Sequence, residues 1–304
     1  LAITIFNQIS RNKNKSFFLI IFFILFLSLL GFILGTALGL SEEEIIGSVV
    51  FAVFLSSISA IISWYFSDKI VLVISKAKEL NPDSSPEARE IYRLVENVAI
   101  RANIPIPRIY IVDDSAPNAF ATGRNPKKGV IALTTGIIDE LDRQELEGVI
   151  AHEAAHIQNF DIRFMTLVTV LVGTTSLVSD LFLRATFWSA GGKKSDNNQA
   201  QVIFMILGIV FAILAPIIAA LIQFAISRKR EFLADASAAQ ITRNPMGLAS
   251  ALRKISEDKE PLEVANSATA HLYIANPLKK DFVHKLFSTH PKTEDRIKAL
   301  EEMV

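Results

Sequence analysis

Among its 304 residues the sequence has no cysteine, which excludes disulfides, zinc–thiolate sites and thiol nucleophiles at one stroke. Any metal must therefore rest on imidazole and carboxylate ligands, and only five histidines are available. Net charge is missing too: 31 basic residues balance 31 acidic ones, so nothing in the total argues for nucleic acid as a partner. No internal repeat is visible. The most informative lack is local. Charge is absent from Phe17 to Leu40, from Ile45 to Ser67, from Phe164 to Ser179 and from Ala200 to Ser227. The whole chain is 51% hydrophobic yet 20% charged, so long apolar segments alternate with an ordinary globular part.

At about 1.5 Å per residue, the 24 residues of the first run outreach a hydrocarbon core of about 30 Å. That run is too long for the apolar part of a secretory signal peptide and reads as a retained span. The second run has 23 residues and is joined to the first through an acidic turn, Glu42-Glu43-Glu44, which predicts a helical hairpin. The third run is short. Its 16 residues give about 24 Å of helix, and it spans only if Asp180 and Arg184, four apart, sit near the far interface with Trp188. The fourth is strong, broken once by Pro216, and ends on Arg228-Lys229-Arg230. Basic residues flank the spans on one side: Arg11, Lys13 and Lys15, then Lys69, Lys76 and Lys78, then Arg228 to Arg230. Lys193 and Lys194 oppose the pattern, but the count of four spans puts the N-terminus, the central segment and the C-terminal part in the cytoplasm.

The central segment mixes both periodicities. Pro86 after Ser84 and Ser85 opens a helix with Ile91, Leu94, Val95 and Val98 on one face, ended by Pro105 and Pro107. Arg108 to Val112 and Gly129 to Leu133 read as strands, and Asn118 to Thr122 as a third between them. Asp142 and Glu145 form a capping box ahead of Leu146, Val149 and Ile150, which predicts a helix running through His152-Glu153-Ala154-Ala155-His156. Beyond Arg228 the pattern is helical, except for Glu260 to Pro277, which reads as an irregular, mobile loop.

Two histidines four apart lie on one helical face, so both imidazoles can converge on one zinc ion. Glu153 projects beside that face, placed to act as general base toward a water. The bland alternative is a pair of surface histidines on an ordinary helix. A catalytic zinc takes three protein ligands, and the best third candidate is Glu231, with Asp235 one turn later to accept the free N–H of a ligand histidine. Read alone, Glu231 is better taken as part of a solvated charge cluster just below a membrane. Depth tips the balance. His156 precedes Phe164 by eight residues and Glu231 follows Ser227 by four, so a hairpin of runs three and four returns both to one membrane face. It would unite ligands separated by 74 intervening residues. Asp161 reads as the closing residue of the metal helix, and His271 and His284 as ordinary polar residues.

These residues resemble the HtpX-type membrane zinc metallopeptidases, relatives of the CAAX prenyl proteases and more distantly of thermolysin-like gluzincins. The likeness covers nearly the whole chain. It is carried by the N-terminal hairpin, Asn118 to Gly123, His152 to His156, Ser227 to Asp235 and Ser288 to Ile297. Ala154 and Lys292 depart from the usual pattern without removing a chemical group. The resemblance implies a mainly α membrane protein with four transmembrane helices and a cytoplasmic zincin-like α+β domain carrying a small β-sheet. Its parts would be a hairpin over 1–68, catalytic segments over 69–163 and 228–304, and a second hairpin over 164–227. It further implies that His152, His156 and Glu231 bind zinc, that Glu153 is the base and that Asp235 supports a ligand. Asn118, Ala119 and Phe120 would form the edge strand on which a polypeptide substrate lies. His290 and Arg296 would stabilise the transition state or order the site. The expected activity is endopeptidase cleavage of membrane or misfolded proteins in quality control at the plasma membrane. The competing readings are a CAAX-type protease of prenylated C-termini, a transporter or channel with regulatory zinc, and a non-catalytic zinc-binding membrane protein.

Overall fold

The computed structural model describes residues 5–37, 41–169, 228–258, 260–265, 269–275 and 291–304. Helix α1 (Ile5–Ala37) and helix α2 (Glu42–Ile74) pack along one another. Among the described residues only α2 is long and apolar enough to cross a membrane, while α1 carries a shorter apolar stretch, Asn14–Leu29. The buried stripe of α2 holds small residues, Ser56, Ala60, Ser63 and Ser67, and its large side chains such as Val50, Phe51 and Phe54 face outward. That is the composition of a helix that packs closely on one side and meets lipid on the other.

Two expectations need adjusting here. Glu42, Glu43 and Glu44 are not a turn but the first turn of α2. Ser41 caps it: the Glu44 carboxylate accepts from Ser41 N at 2.9 Å, and Ser41 Oγ accepts from Glu44 N at 3.4 Å. Three carboxylates at a helix N-terminus also suit its partial positive charge. At the other end α2 continues past residue 68 to Ile74, and Val71 and Leu72 are buried against the globular part. The helix thus crosses the expected boundary between hairpin and catalytic segment, and the two are welded through it. Of the other runs, 164–169 belongs to helix α6 (161–169); the rest of 164–188, and 200–227, lie outside the described residues.

The globular part is a small mixed sheet covered by helices. Its strands are β1 (Lys78–Glu79), β2 (Arg108–Val112), β3 (Ala119–Thr122) and β4 (Val130–Thr134), in the order β1-β2-β4-β3. β2 and β4 are parallel, with Tyr110 opposite Ala132; β3 is antiparallel to β4, with Phe120 opposite Ala132. β3 is therefore a sheet edge. Helix α3 (Pro86–Arg101) starts on a Ser85 cap with Pro86 at its first position and buries Ile91, Leu94, Val95 and Val98, as its spacing predicts. Thr134 caps the short helix α4 (Thr135–Glu140). Helix α5 (Arg143–Gln158) starts on the Asp142–Glu145 capping box. Helices α7 (Arg228–Thr242), α8 (Pro245–Glu257) and α9 (Thr293–Glu301) complete the described fold.

α5 is the central helix: Leu146 to Ile157 are all buried, with the single exception of partly covered Glu147. It packs on α3, α7, α8 and β3. Gly148 permits the closest approach, since a Cβ there would lie 2.7 Å from the backbone nitrogen of Leu248 on α8. Glu145, itself buried, crosses to α8 through Lys254 Nζ at 2.7 Å and Ser250 Oγ at 2.6 Å.

Candidate metal centre

The middle of α5 holds what such a helix rarely buries: His152, Glu153 and His156, each no more than 5% exposed. Buried groups of this kind need partners, and each imidazole finds a carboxylate through its Nδ1. His152 Nδ1 lies 2.9 Å from Asp235 Oδ1, and His156 Nδ1 lies 3.1 Å from Asp161 Oδ2. Nδ1–H donation to carboxylates turns both Nε2 lone pairs inward, and the two Nε2 atoms stand 3.1 Å apart.

Glu231 closes the triangle from α7. Its Oε2 is 3.8 Å from His152 Nε2 and its Oε1 is 3.7 Å from His156 Nε2. Tetrahedral zinc with bonds of about 2.0–2.1 Å separates its ligand atoms by roughly 3.3 Å. The carboxylate straddles the pair, Oε2 toward His152 and Oε1 toward His156; each separation lies within about half an ångström of that figure, and the donor set is two imidazoles and a carboxylate. The residues fit a zinc ion. His152, His156 and Glu231 are the group able to hold a metal among the described residues.

Two arginines stand behind the carboxylates. Arg296 on α9, 1% exposed, donates from Nε to Asp235 Oδ2 at 2.8 Å and from Nη2 to Asp235 Oδ1 at 2.7 Å. Its Nη1 donates to Ile274 O at 3.0 Å. On the other side Arg230 Nη1 lies 3.5 Å from Asp161 Oδ1, too long for a hydrogen bond. Asp161 reaches His156 because the chain reverses sharply after α5: Asn159 caps the helix and Phe160 takes φ +60°, so α6 folds back.

Charge is distributed unevenly across the pair. Burial pushes the His152 imidazolium down to about 4, with Arg296 and His156 adding to the effect against the pull of Asp235. Burial also opposes a proton on His156, but the Asp161 hydrogen bond and the carboxylates of Glu231, Asp161 and Glu153 outweigh it and raise that ring to about 9. Burial lifts the Glu153 carboxyl to about 7; His156 and Arg296 pull it back, Glu231 pushes it further up, and the Ala121 backbone lowers it slightly. A site this rich in carboxylate oxygen favours a cation at its centre.

The sequence-predicted residues distribute as follows. His152, Glu153, His156, Glu231, Asp235 and Arg296 meet in one buried cluster, joined across 74 intervening residues as the depth argument requires. Asn118, Ala119 and Phe120 lie on or beside edge strand β3, which packs on the α5 helix that carries Glu153. His290 lies outside the described residues. Asp161 was expected only to close the helix; it is buried and holds His156 instead. His271 is likewise more than a surface polar group: it is buried 3.1 Å from Thr169 Oγ1. Of the stretch read as a mobile loop, the described residues 260–265 and 269–275 hold one short 3-10 turn, Ala270–Leu272, and Leu272, Tyr273 and Ile274 are buried.

A buried triangle of two histidines and a glutamate beside a further glutamate and a sheet edge defines a metallopeptidase by class. Residues 85–304 match peptidase family M48, and the chain belongs to that family. It is similar along its length to proteins named Protease HtpX homolog. That of Tropheryma whipplei (strain Twist) is 43% identical over 298 residues, covering 98% of each chain. That of Lactobacillus helveticus (strain DPC 4571) is 42% identical over 305 residues, covering 98% of this chain and 100% of the relative. That of Listeria monocytogenes serotype 4b (strain CLIP80459) is 43% identical over 308 residues. Among solved structures, the crystal structure of S. mikatae Ste24p shares the fold at a TM-score of 0.50 and 20% identity; the alignment covers 91% of this chain and 62% of that one.

Proposed function

We propose that the chain is a membrane-embedded zinc endopeptidase that cuts membrane or misfolded polypeptides at the cytoplasmic face, in a quality-control role. The observation that carries the reading is a pair of Nε2 atoms 3.1 Å apart with the Glu231 carboxylate set across them, Oε1 3.7 Å from His156 and Oε2 3.8 Å from His152, beside a second glutamate. His152, His156 and Glu231 hold the ion. Once bound, zinc supplies Lewis acidity at the scissile carbonyl.

The chain's own residues do the rest. Glu153 takes a proton from the attacking water and returns it to the leaving amine; a carboxyl held near 7 suits both directions of transfer. Asp235 and Asp161 fix the tautomer and orientation of the two ligand rings. Arg296 keeps Asp235 ionised and in place. The substrate adds as an extended strand at the β3 edge near Asn118, Ala119 and Phe120. This mode relies on backbone hydrogen bonds and asks little of sequence, as a scavenger of unfolded segments requires. The cytoplasmic placement rests on the basic clusters that flank the apolar runs on one side. Resemblance to Ste24p concerns fold alone.

Metal analysis and casein cleavage by the purified full-length protein test the reading. Wild type should contain zinc and cut casein, and a chelator should stop cleavage. Glu153→Gln should keep zinc and lose about 10²–10⁴ in rate; Glu231→Ala should lose the metal. Full activity in either variant would end the proposal. A prenylated peptide cut in preference to casein would move the assignment to C-terminal processing.

A further inference from the structure

The edge of β3 is already in use. Along an antiparallel strand, backbone groups point alternately toward the neighbour and away from it. Asn118 O accepts from Thr134 N on the β4 side at 3.0 Å, so the polar groups of Ala119 and Ala121 face outward. β3 packs on α5, the helix that carries Glu153, so this outward edge runs beside the proposed base.

Residues 273–275 lie on that edge. Ile274 N donates to Ala119 O at 2.9 Å, and Ile274 O accepts from Arg296 Nη1 at 3.0 Å. The Asn118 carboxamide closes on Ala275 in both directions: Nδ2 donates to Ala275 O at 3.2 Å, and Oδ1 accepts from Ala275 N at 3.4 Å. Tyr273 sits opposite Phe120 in an antiparallel bridge, with their rings edge-to-face at 5.1 Å. The Tyr273 ring is fully buried in the cluster that holds Val71 and Leu72 of α2, and its hydroxyl is 3.4 Å from Ser75 Oγ.

One backbone unit, Ile274, thus uses an acceptor on the edge strand and a donor on the arginine beside the ligand cluster. An extended polypeptide lying along β3 would use those same two groups. The geometry points to residues 273–275 as an internal occupant of the substrate strand's place, which a substrate must displace to bind. This rests on the peptidase reading. A substrate strand replaces the backbone hydrogen bonds one for one, so the barrier to exchange lies in the Tyr273 ring. Substrate binds in proportion to the fraction of molecules whose edge is open. It also fixes the substrate's polarity: it runs antiparallel to β3, its N–H toward Ala119 O and its C=O toward Arg296.

Hydrogen–deuterium exchange on the full-length Glu153→Gln protein in detergent tests this, with unfolded casein as probe. Backbone amides of 272–275 should exchange faster when casein is bound. Unchanged or slower exchange with casein bound would overturn the inference and make the segment a fixed wall. In a cleavage-competent background, Tyr273→Ala should lower KM for casein about three- to ten-fold with kcat changed less than about two-fold; a raised KM counts against displacement. Should that variant fold poorly, a reversible lock replaces it. The chain has no cysteine, so Phe120→Cys with Tyr273→Cys gives a unique cross-strand pair of the closely spaced kind. Oxidation should abolish cleavage and reductant restore it; equal activity in the two redox states would refute displacement. Casein that neither binds Glu153→Gln nor is cut by wild type is a different result, which sinks the peptidase reading itself.

Discussion

The two halves of the metal centre use one device at two tensions. On each side an imidazole is held through Nδ1 by an aspartate, and an arginine backs the aspartate. The His152 half is tight: Arg296 grips both oxygens of Asp235 at 2.7 and 2.8 Å, and α5, α7 and α9 are tied at one point. The His156 half is slack. Arg230 stands 3.5 Å from Asp161, its Nη2 has no hydrogen-bond partner among the described residues, and its guanidinium lies 5.6 Å from the ring of Phe164, where an apolar run begins. One half is therefore anchored within the globular part and the other toward the start of the third apolar run. An orienting carboxylate is common to both; what differs is how firmly the next residue fixes it, and that sets how costly its loss is.

The comparison is broken if the halves prove interchangeable. Asp235→Asn should be the most damaging of the supporting changes. It leaves Arg296 buried without its countercharge, at a cost of about 3–5 kcal/mol in stability, and weakens metal binding about 100-fold. Denaturant unfolding and zinc competition titrations measure both. Next comes pH, read on metal-depleted protein, where the halves should fail at opposite ends. The His156 ring is raised to about 9, so its stabilisation is complete below the unfolded value of about 6.5 and fades as pH rises through 9. Its size is on the order of 3 kcal/mol. Burial works against ionised Asp235, but Arg296 outweighs it and holds the carboxyl below its ordinary value; that stabilisation exists above about 3.9 and is lost as pH falls. His152, lowered to about 4, adds to the loss on the acid side. A melting-temperature profile that falls on only one side would contradict the assignment. Asp161→Asn should weaken zinc about ten-fold, less than its counterpart, because Arg230 is not tightly bound to it. Smallest of all, Arg230→Gln should change zinc affinity no more than about three-fold, at the low edge of such effects; a loss equal to that of Asp235→Asn would erase the distinction.

Much of this was legible in the sequence because the signals are local. Two histidines four apart share a helical face whatever surrounds them, and the Asp142–Glu145 cap fixes where α5 begins. Glu231 takes one longer argument, that two ends of an apolar hairpin would return to the same depth, and Asp235 follows from lying one helical turn after it. The failures are contacts that no spacing announces. Asp161 lies five residues past His156, off the helical face, and comes back only because Phe160 adopts a left-handed turn. A bulky residue gives no warning of that. Ile274 meets Ala119 across more than 150 residues through backbone atoms, which carry no sequence signature. The three glutamates after Ser41 were read by charge as a turn, although Ser-x-x-Glu is itself a helix start.

The centre is assembled from parts made at very different times. Ribosomes deliver α5 first, with its histidines and Glu153, while Glu231 follows 74 residues later and Arg296 later still. A half-made chain thus carries Glu153 and two imidazoles but neither the Glu231 carboxylate nor Asp235 and its arginine. The complete cluster exists only once α9 has docked and Arg296 has met Asp235, so the buried centre is among the last parts of the described fold to assemble.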